Sequence, residues 1–231
     1  MNTHDITAVI PVRAGSRRLK NKNIFPWEDE KNLLTYKIHQ LKMVKEINRI
    51  VVSSDSDEML AMGDANGCYT HKRSPEYCDE KTKSWGEVIA HIAQSVQGEH
   101  ILWAHATCPL IEPARYSDAI STYFEILTQG YDSLVSFEAH QRYTWDKNGP
   151  VNYVLGKGHI PSQELEPTYT PTFGIGLMPR LDMIKHTYLH GPQPYRYLLS
   201  KIESVDIDDE LDLVQAKAFY NYSKVGIEGY R

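Results

Sequence analysis

The sequence is poor in cysteine, with three in 231 residues. Cys68, Cys78 and Cys108 are an odd number and contain no C-x-x-C pair, so the expectation is reduced thiols rather than a disulfide framework or a zinc site. No apolar run approaches the ~18 residues that a membrane-spanning helix needs. The opening residues, Met1 to Asp5, are polar and lack the basic-then-apolar layout of a secretory leader, and a cytoplasmic location is expected. There is no basic excess. Lys and Arg total 25 against 30 Asp and Glu, a net charge of −5, which argues against sequence-independent nucleic-acid binding. Internal repeats and low-complexity runs are absent. So are G-x-x-x-x-G-K-[ST] and G-x-G-x-x-G, which excludes a Walker loop and the dinucleotide fingerprint.

What is present is globular: 41% hydrophobic and 24% charged residues, at a length that suits one α/β domain. Short apolar runs at Thr7 to Val12, Arg49 to Ser53, His100 to Ala104 and Ser133 to Phe137 read as buried strands. Between them, helical spacing appears at Asn32 to Val44, Asp57 to Ala65, Trp85 to Val96 and Tyr116 to Leu127. Strand alternating with helix predicts a mostly parallel sheet with helices on both faces, and ligands bound beyond the carboxyl ends of the strands. From about Arg142 to Pro171 the pattern changes to Pro- and Tyr-rich segments. This stretch is too short to hold a core alone and is expected to be an excursion from a single domain spanning 1–231, packed on the main sheet or on a second subunit. The α/β pattern resumes with strands at Phe173 to Met178 and Ile202 to Asp206, and closes with a helix near Glu210 to Tyr220.

The loop after the first strand carries Arg13, Arg17, Arg18, Lys20 and Lys22 around Gly15 and Ser16. Gly15 permits a tight turn whose N–H groups can cradle an anion, and the cations can neutralise phosphate oxygens. A basic run is often only a solvated turn, but its place after the first strand of a parallel sheet favours a ligand.

A second constellation lies near the carboxyl end, in Ser204-Val205-Asp206-Ile207-Asp208-Asp209-Glu210. If Val205 to Asp208 is extended, Asp206 and Asp208 project to one side ~7 Å apart, at ~2 kcal/mol of mutual repulsion for an effective dielectric near 20. A divalent cation removes that cost, and two carboxylates with phosphate oxygens and waters suit Mg²⁺. Alternatively Asp208 or Asp209 caps the last helix, which leaves Asp206 without a role.

These segments resemble the cytidylyltransferases that make CMP-activated acidic sugars, especially the acylneuraminate cytidylyltransferases. Arg13, Ser16, Lys22 and Asn23 match their pattern I-x-A-R-x-x-S-K-x-x-x-x-K-N, with Arg17 where Lys is usual. Ile50 to Asp55 resembles their I-I-V-S-T-D, Arg73-Ser74-Pro75-Glu76 their R-P-A-E, and Ser204 to Leu213 their S-I-D-I-D-T-E-L-D-L. The resemblance implies a Rossmann-like nucleotidyltransferase fold, CTP and a small acidic sugar as substrates, Mg²⁺, and a homodimer reached through the 142–171 excursion. It implies that Arg13, Ser16, Arg17 and Lys22 hold the triphosphate, with Arg13 and Lys22 catalytic, and the Gly15 turn is expected to bind the nucleotide beside them. Asn23 would contact the cytosine or its ribose, and Arg73 would help bind the nucleotide. Ser84 would be a further nucleotide contact or a plain helix cap.

The donor side matches more closely than the acceptor side. The family's Q-P-T-S-P-L is here His105-Ala106-Thr107-Cys108-Pro109-Leu110. His105 keeps a donor and an acceptor and is a candidate acceptor contact, with a structural His as the alternative. Cys108 is not needed as a nucleophile in direct displacement. In the excursion no Arg stands where the family pairs the sugar carboxylate. Gln163 keeps the local frame and is a second acceptor candidate, and Arg142, Lys157, His159 and Arg196 are nearby cations. Two other readings compete. One is a metal-dependent glycosyltransferase, because Asp55-Ser56-Asp57 and Asp206-Ile207-Asp208 both have D-x-D spacing. The other is a non-catalytic nucleotide-binding relative.

Overall fold

The computed structural model describes residues 4–16, 18–28, 30–79 and 81–226. Its centre is a seven-stranded sheet. The strands are β1 (Ile6–Pro11), β2 (Arg49–Ser54), β3 (Tyr69–Lys72), β4 (His100–Trp103), β5 (Ser133–His140), β8 (Thr168–Pro179) and β9 (Pro194–Leu199), in spatial order β3-β2-β1-β4-β8-β5-β9. A separate two-stranded hairpin pairs β6 (Trp145–Asp146) with β7 (Gly149–Pro150). The helices are α1 (Leu33–Lys42), α2 (Asp57–Ala65), α3 (Trp85–Ser95), α4 (Pro113–Leu127), α5 (Arg180–His186) and α6 (Glu210–Val225). No described helix is long and apolar enough to cross a membrane.

The sheet is parallel except for β8, which runs antiparallel to β4 and β5. The buried apolar runs make this arrangement possible, because both faces need covering. Along β1 the side chains alternate. Ile6, Ala8 and Ile10 face a core built with Leu34, Ile38 and Leu41 of α1 and Tyr116, Ile120 and Tyr123 of α4. Val9 faces the other side, with Val88, Ile89 and Ile92 of α3 and Met183 of α5. Helix starts are written in the sequence: Asn32, Ser56, Ser84 and Asp209 each accept a backbone N–H as N-caps.

One sequence expectation needs correction. The strand placed at Ile202 to Asp206 is not in the sheet; residues 201–204 form turns and 205–208 lie outside any strand. The sheet strand there is β9, an edge strand that pairs on one side only, with β5. Val205 and Ile207 instead bury themselves in a third cluster with Leu19 and Leu110 and with Leu213 and Ala216 of α6. Edge strand β3 and short helix α5 also escaped the pattern reading. Tyr69–Lys72 is largely exposed, so it carries no apolar alternation to find.

The excursion holds the β6–β7 hairpin, and its last residues, Thr168 to Pro171, already belong to β8 and pair with His140 to Phe137 of β5.

From β1 the chain builds outward to β2 and β3, then returns to place β4 on the other side of β1. The β1/β4 boundary is therefore a topological switch point, and a crevice opens there beyond the strand ends.

Candidate active site

A cleft of about 660 Å³ occupies this switch point. Its walls come from five places: the loop after β1, the loop after β3, the start of α3, the loop after β4, and residues 206–208.

The first loop supplies the cations. Gly15 sits at φ 77, in the left-handed region, and a Cβ there would meet nothing within 4 Å, so backbone strain rather than space asks for glycine. Asp55 pins the loop: its Oδ1 accepts the Ala14 N–H at 2.9 Å. Arg13 Nη1 donates to the Cys78 carbonyl at 2.8 Å, and Asn23 Nδ2 donates to the Arg13 carbonyl at 3.2 Å. Arg73 is buried, and its guanidinium donates to the carbonyls of Val12, Ser53 and Tyr77. It ties the ends of β1 and β2 to the loop after β3, and its Nε, also buried, has no hydrogen-bond partner among the described residues.

The acidic wall meets the cations directly. Lys22 Nζ lies 2.8 Å from Asp208 Oδ1, and Arg18 Nη2 lies 2.8 Å from Asp208 Oδ2. Burial pushes the Asp208 carboxyl up, but Lys22 and Arg18 outweigh it and hold it below the usual range. Asp206 also lines the cleft, and its Oδ1 is buried with no hydrogen-bond partner among the described residues. Val205 and Ile207 point into the third cluster, which leaves Asp206 and Asp208 together on the open side, and the Ile207 N–H donates to the Thr107 carbonyl at 2.9 Å. Asp209, not Asp208, caps α6, in a capping box with Asp212.

The loop after β4 is held from beneath by buried α1 side chains. Lys37 Nζ donates to the Cys108 carbonyl at 2.9 Å and to the Tyr116 hydroxyl at 2.8 Å, and Gln40 Nε2 donates to the Pro109 carbonyl at 2.8 Å. Burial lowers the Lys37 pKa to about 7. Burial also lowers the His105 pKa, against the pull of Asp206, and pushes the Cys108 thiol well up. A thiol so held is a poor nucleophile.

The cytidylyltransferase family model matches residues 7–148, more than half of the chain. The chain belongs to the cytidylyltransferase family. It is 27% identical over 216 residues to N-acylneuraminate cytidylyltransferase A of Danio rerio, covering 90% of this chain and 49% of that protein. It is 24% identical over 221 residues to a pseudaminic acid cytidylyltransferase of Campylobacter jejuni, covering 92% of this chain and 94% of that one. The chain thus spans about half the length of the first curated relatives, 49% and 50%, and nearly all of the pseudaminic acid one, 94%. Among solved structures it is similar to CMP:2-keto-3-deoxy-manno-octonic acid synthetase complexed with CTP, with a TM-score of 0.66 at 12% identity, over 94% of this chain and 99% of that one. That likeness gives the α/β nucleotidyltransferase fold.

In this member of the family, Arg13, Ser16, Lys22, Asn23, Arg73, Ser84, His105, Asp206 and Asp208 all line the one cleft. Gly15 shapes the first loop without lining it, and Arg17 lies outside the described residues. Ser84 is both a cleft residue and the cap of α3, its Oγ accepting the Glu87 N–H at 3.3 Å. Gln163 does not line the cleft; its carbonyl accepts from Gln141 Nε2 at 3.1 Å. The other D-x-D is structural. Asp55 holds the first loop, Ser56 caps α2, and Asp57 pairs with Lys72 on the surface.

Arg18, Tyr77, Trp85 and Thr107 line the cleft without having been singled out. Arg18 was visible in the basic run, but no periodicity or spacing pointed to the other three. A smaller cavity of about 270 Å³ adjoins at Asp206, with Arg142, Lys201, His140 and Glu138 on its walls.

Proposed function

We propose that this protein is a CTP-dependent cytidylyltransferase that joins CMP to a small acidic sugar and releases pyrophosphate. The observation that carries the reading is the meeting of the first loop's cations with Asp206 and Asp208 in one cleft. An acceptor hydroxyl attacks the α-phosphorus. The new O–P bond forms as the bond from the α-phosphorus to the α,β-bridging oxygen breaks, pyrophosphate leaves with that oxygen, and the hydroxyl proton passes to solvent water. Such a reaction asks for positioning and charge neutralisation rather than a covalent intermediate. Arg13, Lys22 and Arg18 would neutralise the triphosphate, with Ser16 and the Gly15 turn offering hydrogen bonds to it. Asn23, Ser84 and Arg73 would border the nucleoside.

The donor set fits Mg²⁺. Asp206 carries an orphaned buried oxygen, and Asp208 lies beside it facing the same cleft. Among the described residues no group of three or more His, Cys, Asp or Glu could hold a metal. The remaining positions would fall to phosphate oxygens and water, which is how Mg²⁺ is commonly bound in phosphate sites. When bound, the ion supplies charge neutralisation at the phosphates.

The acceptor carboxylate would lie in the smaller cavity, where Arg142 and Lys201 stand next to Asp206. The excursion exposes Tyr143, Trp145, Val151, Val154, Leu155 and Ile160, more apolar surface than a short segment leaves open without use, and a homodimer through this face is proposed. Gln163 lies in the same segment and would face a partner's cleft rather than its own.

The test is a pyrophosphate-release screen with CTP, UTP, ATP and GTP, Mg²⁺ and a panel of eight- and nine-carbon acidic sugars. CTP-selective release with one acceptor class supports the reading. Turnover of an intact nucleotide sugar instead would identify a glycosyltransferase. Calorimetric CTP binding without turnover of any acceptor would identify a non-catalytic relative.

A further inference from the structure

The loop after β4 holds an arrangement that the proposed chemistry does not require. Trp103, fully buried at the end of β4, donates its indole Nε1–H to His105 Nε2 at 3.1 Å. An indole nitrogen can only donate, so His105 Nε2 must be the acceptor, and the neutral ring carries its proton on Nδ1. Nδ1 has no hydrogen-bond partner among the described residues, while His105 lines the cleft. Beside it stands Trp85, the first residue of α3, which is 42% exposed and also lines the cleft. Its ring stacks against His105 with centroids 6.1 Å apart and planes 23° apart, and meets Trp103 edge-on at 5.7 Å. Trp103 thus braces both rings from the core side.

We propose that Trp103 is a positioning residue that makes His105 a one-way hydrogen-bond donor, and that His105 with Trp85 forms an acceptor-sugar subsite. The inference rests on the cytidylyltransferase reading above. A free histidine could give or take a hydrogen bond with a sugar hydroxyl. Once Nε2 is occupied, only Nδ1–H faces the ligand, so the group it meets must offer an oxygen lone pair. The Trp85 ring beside it is a flat apolar wall suited to the C–H face of a sugar ring. The subsite therefore favours a ring substrate that presents a carbonyl or hydroxyl oxygen next to an uninterrupted C–H face, and disfavours an acceptor whose group at that point can only donate.

The tautomer can be read in the full-length protein without any substrate. Long-range ¹H–¹⁵N correlation spectra of ¹⁵N-histidine-labelled protein, with the His105 signals identified by their loss in His105→Gln, are expected to show Nδ1 protonated and Nε2 bare. Trp103→Phe should shift this toward a mixture that includes Nε2–H. A wild-type Nε2–H tautomer, or a spectrum that Trp103→Phe leaves unchanged, would overturn the donor assignment. Should Trp103→Phe fail to fold, the wild-type spectrum alone decides the donor assignment, since the Trp103–His105 bond is present there.

In the pyrophosphate assay at saturating CTP, His105→Leu should raise the acceptor KM about tenfold, the worth of one hydrogen bond, with the CTP KM unchanged. His105→Gln should recover part of that loss, because an amide restores a donor. Trp85→Ala should also raise the acceptor KM with no change for CTP. Turnover with an unchanged acceptor KM in His105→Leu overturns the subsite alone. No CTP-dependent turnover with any acceptor overturns the parent reading, and the acceptor contact with it, whatever the tautomer.

Discussion

Lys22 Nζ and Asp208 Oδ1 lie 2.8 Å apart although 186 positions separate them in the chain. A cation suited to phosphate and a carboxylate suited to a metal thus neutralise each other before any ligand arrives. Arg18 takes the second oxygen of the same carboxylate, so Asp208 is held by two groups that a triphosphate would also attract. On the proposed function, a bound triphosphate would take these cations from Asp208.

That exchange predicts opposite signs for the two members of the pair. Lys22→Met should weaken CTP binding by tenfold or more, about 1.4 kcal/mol, because it removes a phosphate contact. Asp208→Asn should tighten metal-free CTP binding several-fold, because it releases Lys22 and Arg18 and removes one negative charge. Both are read by calorimetry with a chelator present. Weaker binding in Asp208→Asn would show that the pair does not compete with the nucleotide.

Asp206→Asn separates chemistry from folding. Among the described residues its Oδ1 is buried without a hydrogen-bond partner, although the Cys108 thiol hydrogen-bonds the carboxylate, so a neutral amide there should cost the metal-free fold little. The variant should melt at about the same temperature, while pyrophosphate release falls on the order of 10²-fold or more. Thermal melts beside steady-state rates at several Mg²⁺ concentrations check both halves, and full activity would remove Asp206 from the metal site.

Lys37 predicts a pH dependence of stability. Burial lowers its pKa from 10.5 to about 7, and Cys108, Glu112 and the Tyr116 hydroxyl surround it. Between those two values the unfolded chain holds more protons than the folded one, so this group makes stability rise as pH rises from about 7 toward 10.5. Below about 7 both states are charged and the full cost of the buried ammonium is present. The slope approaches about 1.4 kcal/mol per pH unit and should vanish in Lys37→Met. Urea melts of both proteins from pH 6 to about 10 measure it. Parallel curves would mean that Lys37 is not titrating there.

Ile207 tests how the acidic wall is held. The side chain is fully buried, and Ile207→Ala should cost about 2–5 kcal/mol. Because Asp206 and Asp208 flank it, the variant should also lose catalytic efficiency at temperatures well below its melting point. A stable variant with normal kinetics would show that the hydrogen bond from the Ile207 N–H to the Thr107 carbonyl is enough to place both carboxylates.

The apolar face of the excursion predicts an oligomer. Trp145 and Leu155 are 59% and 64% exposed in the single chain. Trp145→Glu with Leu155→Glu should convert a dimer to a monomer in light scattering while leaving the thermal melt of the sheet domain largely intact. A wild-type monomer at all concentrations would remove the dimer proposal.

Much of this was legible one segment at a time. The buried runs around Val9 and Leu102 and the cap at Ser84 write the α/β alternation locally, because strand burial and helix capping depend on near neighbours. The basic loop after β1 and the Asp206–Asp208 pair were likewise visible, since each is a cluster of one kind of chemistry within a few residues.

What the sequence alone determined was the layer architecture, the family, and the basic and acidic clusters on which the proposed function draws. What only the tertiary structure decided was which of those residues meet. Residues 202–208 leave the sheet because Val205 and Ile207 find a better apolar surface beside Leu19, Leu110 and α6, a contact between distant segments with no local signal. The same long-range packing sets Asp208 against Lys22, sets Trp103 against His105 and Trp85, and leaves Gln163 outside the cleft. Periodicity reports which face of an element is buried, but the partner on that face is chosen by the packing of the whole chain.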